Sequence, residues 1–159
     1  MIKVKLITVG TLKEDYLRSA AAEYEKRLGA FCRFELVQLK EERLSEIPSQ
    51  NEIKAVLDKE AVKIIEQISS SAFCVALCVE GKQLSSEEFA EKIEAVSMEK
   101  SEICFVIGSS YGLSDVVKQR ADMRLSVSKL TFPHQLMRVI LLEAIYRAFN
   151  IQRGTKYHK

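Results

Sequence analysis

Tryptophan is missing from this chain of 159 residues, proline occurs twice and glycine six times. So little proline and glycine leaves no room for a long disordered arm or a low-complexity linker. No apolar run approaches the ~20 residues that a bilayer-spanning helix needs. The opening, Met1-Ile-Lys-Val-Lys-Leu-Ile-Thr-Val-Gly10, alternates apolar with charged residues, and Lys13, Glu14 and Asp15 follow at once. A secretory signal needs a longer apolar stretch and small residues at a cleavage point. A cytoplasmic protein with no membrane partner is expected, folded as one domain over residues 1–159.

Cysteine is present but unpaired in pattern. Cys32, Cys74, Cys78 and Cys104 include no Cys-x-x-Cys motif. Cys74 and Cys78 fall on one predicted strand, where four residues span ~13 Å, too far for a disulfide or a shared metal. All four read as small core residues in a reducing compartment. The histidines, His134 and His158, stand far apart without ligand spacing, so no metal is expected.

The net charge of +2 hides an asymmetry. Residues 129–159 hold six basic residues against Glu143 alone, a net +5, which leaves −3 for residues 1–128. A basic end on a mildly acidic body suits a polyanionic partner met by one face; a merely solvated tail would look the same.

Hydrophobic pattern divides the chain into alternating elements. Strands are predicted over 2–9, 34–39, 72–79, 103–107 and 125–128. Between them the helical period covers 14–28, 53–68, about 86–98 and, after a Ser114 cap, a short stretch to Ala121. Ser85 with Glu88 offers a capping box for the third helix, and residues 40–49, with Pro48, read as a loop. The fold class is therefore α/β, a parallel sheet with helices on both faces.

The last predicted helix, Pro133 to Phe149, is apolar around most of its circumference. Such a helix must be buried on most sides, either as a central core helix or against a second copy of the chain. In the second case a mate would cover residues such as Leu142 and Ile145, and a homodimer is expected.

One loop stands out. Gly108-Ser-Ser-Tyr-Gly112 follows a buried strand and precedes a helix, the place where open parallel sheets bind ligands. Glycine at position 108 would let a ligand approach the backbone. The spacing is neither the dinucleotide fingerprint nor the P-loop, and a bare strand-to-helix turn remains the plain alternative. The ending, Arg153-Gly-Thr-Lys-Tyr-His-Lys159, joins positive charge, a stacking ring and an imidazole, the groups that RNA recognition uses. Short charged ends of this kind are expected to stay mobile until a partner arrives.

Several of these segments together resemble one family. They are Phe105-Val-Ile-Gly-Ser-Ser-Tyr-Gly-Leu-Ser114, Leu125-Ser-Val-Ser-Lys-Leu-Thr-Phe-Pro-His-Gln135, Arg138 with Glu143 and Tyr146-Arg-Ala-Phe149, and the terminal Tyr157-His158. Val9-Gly10, Leu12-Lys13 and Glu23-Tyr-Glu-Lys-Arg27 add to the match. The chain is similar throughout to ribosomal large-subunit pseudouridine N3-methyltransferases of the SPOUT class. That resemblance implies a trefoil knot near the carboxy terminus, which periodicity cannot reveal.

It also implies S-adenosylmethionine held by the backbone around Leu77, Gly108 and Val127, Ser128, Lys129, Leu130, Thr131 and Phe132. The long helix would pair with its mate. The substrate would be a pseudouridine in the 23S rRNA stem-loop that contacts the small subunit, methylated on the assembled ribosome. Methyl transfer to N3 requires the ring proton to leave. On chemistry and position, His158 is the candidate base, Arg138 and Lys159 are candidates to stabilise developing negative charge, and Arg153, Lys156 and Tyr157 to grip the RNA. Ser109 departs from the glycine usual at its place in relatives, which affects the shape of the pocket. Two other readings stay open: a non-catalytic ribosome-binding factor, and a nucleotide-binding enzyme of the flavodoxin kind.

Overall fold

Strands apolar on both faces need helices on both faces to cover them, and the chain supplies five. The computed structural model describes residues 1–159. Its elements are β1 (Lys3–Val9), α1 (Asp15–Leu28), β2 (Arg33–Leu39), α2 (Gln50–Gln67), β3 (Phe73–Lys82), α3 (Ser86–Glu99), β4 (Glu102–Ile107), α4 (Asp115–Arg120), β5 (Met123–Leu125) and α5 (His134–Gln152). The sheet runs β2-β1-β4-β3-β5 and every pairing is parallel. The expected α/β parallel sheet is therefore present.

Alternate side chains of each strand enter two cores. On one face Val4, Leu6, Ile103 and Phe105 meet α1, α3 and α5. On the other, Ile7, Val9, Cys104 and Val106 meet Ala61 and Ile64 of α2 and Val117 of α4. Cys74 and Cys104 are register partners on β3 and β4, both free. Burial pushes their thiols up to about 11 and about 12 respectively, which keeps them protonated and inert.

β3 runs on to Lys82, three residues past its predicted end, and three further boundaries differ from the pattern reading, each for a local reason. α2 begins at Gln50 because Ser49 and Glu52 form a reciprocal capping box. β5 occupies 123–125, and Ser126 to Ser128 leaves the sheet: the Ser126 hydroxyl donates to Ser128 O at 3.0 Å, and Leu130 N–H donates to the Ser128 hydroxyl at 3.0 Å. Hydroxyls that satisfy nearby backbone compete with a ladder. α5 runs on to Gln152, and Gly154 at φ +64° turns the chain.

α5 packs against both α1 and α3 over the sheet, and this explains much of its apolar circumference. Leu142 and Ile145, the residues a mate was expected to cover, are fully buried in the chain's own core. Each such side chain contributes about 1.5–3 kcal/mol by burial. Leu136, Val139, Ile140 and Ala144 are only partly covered. They and not Leu142 are the apolar residues left for a partner.

Candidate functional site

At one end of the sheet the second half of β3 (77–80) meets two stretches that run on from β4 and β5: 107–113 and, Lys129 apart, 125–134. Together with Lys118 and Met137 they line a cleft of ≈ 680 Å³, a size suited to a cofactor. Four of the chain's exposed large apolar side chains, Val79, Tyr111, Val127 and Leu130, lie in its walls. Clustered exposed apolar surface marks a binding site more often than it marks chance. The one lysine in the lining, Lys118, is ion-paired with Glu80. The cleft thus offers backbone and apolar surface with little net charge. That fits an adenosyl group carrying a sulfonium, and it offers nothing for a pyrophosphate.

The glycines act differently from expectation. A Cβ on Gly108 would lie 2.1 Å from Gly112 O and 2.9 Å from Leu113 Cδ2, so the loop's own backbone fills the space next to it. Gly112 takes φ +88° and donates its N–H to Ser109 O at 2.9 Å. Gly108 is needed for this loop to close on itself, and its bare α-carbon is not an open berth for a ligand. The loop also has the Gly-x-Ser-x-Gly spacing of a nucleophile elbow, with Ser110 at its centre. Ser110 is exposed and no histidine or carboxylate hydrogen-bonds to it, so the loop lacks a hydrolase's activated serine.

Behind the loop sits an acid that sequence reading missed. Glu60, on the buried face of α2, lies beside Ser109 and accepts from Glu42 N–H at 3.3 Å; its other oxygen has no partner. Burial raises its pKa above the ordinary carboxylate range. Glu60 thereby joins α2, the 40–49 segment and the glycine loop.

The expected cofactor residues come together. Leu77, Gly108, Val127, Ser128, Leu130, Thr131 and Phe132 all line the cleft; Lys129 is exposed and lies outside the lining. The expected catalytic and RNA-gripping residues lie elsewhere. Arg138 is buried and donates to Gln38 Oε1 at 2.9 Å, Thr8 Oγ1 at 2.9 Å and Gly10 O at 3.1 Å. It locks α5 to the ends of β1 and β2.

The tail is docked on α5 and α3. Tyr157 Oη donates to Glu143 Oε1 at 3.1 Å, its ring meets Tyr146 at 4.8 Å between centroids, and Arg147 lies 4.9 Å from its centroid. Burial, with Tyr24 and Glu143 adding to it, raises the phenol's pKa. His158 Nδ1 is 3.2 Å from Arg147 Nη1, and Nε2 is 2.8 Å from Glu87 Oε1. Lys156 and Lys159 are exposed beside them, and Arg153 lies apart, over Phe31.

Comparison with known proteins decides what kind of chain this is. The family model described as "Predicted SPOUT methyltransferase" matches residues 2–158. The chain belongs to the SPOUT methyltransferase family. A "Ribosomal RNA large subunit methyltransferase H" from Streptococcus thermophilus is 51% identical over 159 residues, covering 99% of this chain and 100% of the relative. Proteins of the same name from Bacillus pumilus and Leuconostoc mesenteroides are 48% and 47% identical over the same shares. Membership implies a methyl donor of the S-adenosylmethionine type, consistent with the neutral, apolar cleft.

For a member of this family, His134 gains interest. The sequence shows no ligand spacing around it, yet it lines the cleft at the start of α5. Burial lowers its pKa, and Arg138 and Lys13 push the same way against Glu41. Its imidazole is neutral at neutral pH and can accept a proton. Only the cleft's position, unknown before folding, could have distinguished it from His158.

Proposed function

We propose that this protein is a ribosomal RNA methyltransferase that transfers a methyl group from S-adenosylmethionine to N3 of a pseudouridine in 23S rRNA, on the assembled ribosome and as a homodimer. The observation that carries the reading is the cleft: seven of the eight residues expected to hold the cofactor line one neutral, largely apolar cavity. The wider family resemblance supplies the target nucleotide, and the relatives' shared name supports large-subunit ribosomal RNA as the substrate.

The trefoil knot belongs to the same proposal. A Cβ on Gly81 would lie 2.7 Å from the carbonyl carbon of Leu125, so the end of β3 and the exit of β5 pass in backbone contact. Ser126 N–H also donates to Lys82 O at 3.0 Å. A close backbone approach of this kind, with the register shift between Leu77 and Lys82, suits a knotted cofactor site.

Bound in the cleft, S-adenosylmethionine supplies a methyl group on a good leaving group, so the chain's part is alignment and handling of one proton. The backbone of 77–80 and 126–132 would hold the adenosyl group. Val79, Tyr111 and Leu130 would exclude water around it. The N3 proton needs an acceptor: His134 stands at the cleft, whereas His158 lies on Arg147, ten residues along α5 from Met137 or ~15 Å. The tail therefore has to leave its dock, or serve the cleft of a mate, before Tyr157, His158 and Lys159 can act on the target nucleotide. The mate's place is the outward face of α5, where Leu136, Val139, Ile140 and Ala144 are partly exposed.

Calorimetry with S-adenosylmethionine and, in parallel, flavin mononucleotide tests the cofactor. Binding of the first and not the second is expected. Binding of the flavin alone would turn the reading toward the flavodoxin kind, and binding of neither toward a non-catalytic ribosome factor.

A further inference from the structure

The opposite end of the sheet holds a second cavity, of ≈ 560 Å³, at the amino-terminal ends of β1, β2 and β4. β1 spans seven residues between the two ends, so the cavity lies ~20 Å from the cleft. Three cationic side chains rim it, Arg33, Lys100 and Arg153, against Glu99 as the one acid in the lining. None of the three is ion-paired. The nearby carboxylates are taken: Glu35 by Lys3, and Glu102 by Lys3 and Lys5.

Arg153 is held ready. Its guanidinium lies 4.2 Å from the centroid of Phe31, which stacks in turn on Phe149, and one N–H donates to Ala30 O at 3.2 Å. The remaining N–H groups of that guanidinium have no protein acceptor. Exposed Met1 and Met98 add apolar surface beside the charges. The cleft has no such group of cations, since Lys118 is tied to Glu80. An enzyme acting on RNA needs phosphate contacts to position its substrate, and the cleft does not provide them.

A plainer explanation is that these cations offset the carbonyl ends of α1, α3 and α5, which all terminate at this pole. It accounts for Lys100 and Arg153, the residues that close α3 and α5. It does not account for Arg33, which opens a strand, or for the cavity between them.

We infer that this groove grips the sugar-phosphate backbone of the RNA whose nucleotide enters the cleft, as a second contact remote from the chemistry. The inference rests on the ribosomal RNA reading above. Its test is the double variant Arg33→Ser/Lys100→Ser, with Arg43→Ser/Lys59→Ser, exposed residues elsewhere, as the charge-matched control. Methylation of ribosomes lacking the modification is followed against potassium chloride concentration. The groove variant should raise KM for ribosomes roughly tenfold and flatten the log–log salt dependence by about 1.5, as expected for two lost phosphate contacts. Its kcat and its affinity for S-adenosylmethionine should stay within twofold of the parent.

Unchanged KM and slope overturn the inference. So does an equal loss in the control, which would reduce the effect to net charge, and so does a lowered Tm with unchanged KM, which would leave the cations as helix-end partners only. If the parent itself methylates no ribosomal RNA, the earlier reading fails. Filter binding of ribosomal RNA then decides the groove separately: weaker binding by the groove variant alone supports it, and equal binding overturns it.

Discussion

The cleft and the carboxy-terminal tail are built in opposite ways. The cleft is made largely of backbone from the ends of β3, β4 and β5, with β3 and the end of β5 in close contact at Gly81 and apolar side chains around a neutral space. The tail is made of side chains held by other side chains: Tyr157 on Glu143 and Tyr146, His158 between Arg147 and Glu87. Paired, buried strands fix the first. Partly exposed ion pairs and hydrogen bonds hold the second, and such contacts are individually weak. On the proposed reading a site for the cofactor is preformed, while the groups assigned to the substrate are docked where they can be released. Methyl transfer from a bound cofactor to a large RNA calls for that division.

Breaking the cleft should have the largest effect. Gly108→Val puts a side chain into Gly112 O and Leu113, so the loop must open. Loss of S-adenosylmethionine binding is expected together with a stability loss of about 2–4 kcal/mol, read by chemical denaturation. Gly112→Ala gives a graded version: nothing lies within 4 Å, but φ is +88°, and a cost of about 1–2 kcal/mol is expected. Equal stability of parent and Gly108→Val would contradict the closed-loop account.

Removing residues 155–159 should sharpen the contrast from the other side. Cofactor affinity by calorimetry should stay within twofold, and methylation of unmodified ribosomes should fall by roughly two orders of magnitude. Methylation at the parent rate would leave the tail a mere terminus and move attention to His134. In that event His134→Gln becomes the variant that must lose activity.

The proposed dimer would separate inner from outer residues of α5. Ile140→Asp should give a folded monomer in light scattering, because the residue is only partly covered within its own chain. Leu142→Asp should instead unfold the protein, since it buries an unpaired charge in the core. A parent that is monomeric at micromolar concentration would remove the dimer from the account.

The smallest effect concerns Glu60. Its folded pKa is raised above 4.5 by burial, so the folded state holds a proton that the unfolded chain releases. The stabilising contribution is fully present below pH 4.5 and is lost as pH rises through the folded value. Glu60→Gln should flatten this decline in Tm between pH 4.5 and neutrality, at a cost of about 1 kcal/mol for its imperfect hydrogen bonds. An unchanged pH profile would remove Glu60 as the titrating group.

How much of this was legible in the sequence follows from what each element depends on. Every strand and helix appeared in the pattern, because period and capping are local: Ser85 with Glu88 and Ser114 announced their helices. The capping pair Ser49 and Glu52 follows the same rule and was passed over in favour of the apolar period that starts at Ile53. Seven of the residues that line the cleft were reachable through resemblance, since the family motifs are contiguous. The settings of Arg138, Glu60 and His134 were not, because they depend on segments distant in sequence, such as Thr8 for Arg138 or Ser109 for Glu60, and no local pattern carries that. The tail's charge was plain, but its dock required α3 and α5 to be side by side.

The most direct test is transfer itself. Purified protein, methyl-labelled S-adenosylmethionine and ribosomes lacking the modification are incubated, and the labelled nucleotide is mapped in the ribosomal RNA. The account requires label on N3 of one pseudouridine in 23S rRNA, lost in Gly108→Val and in the chain truncated before residue 155. Label on a different nucleotide would contradict the assigned substrate, and no label on RNA in the presence of bound cofactor would contradict the function.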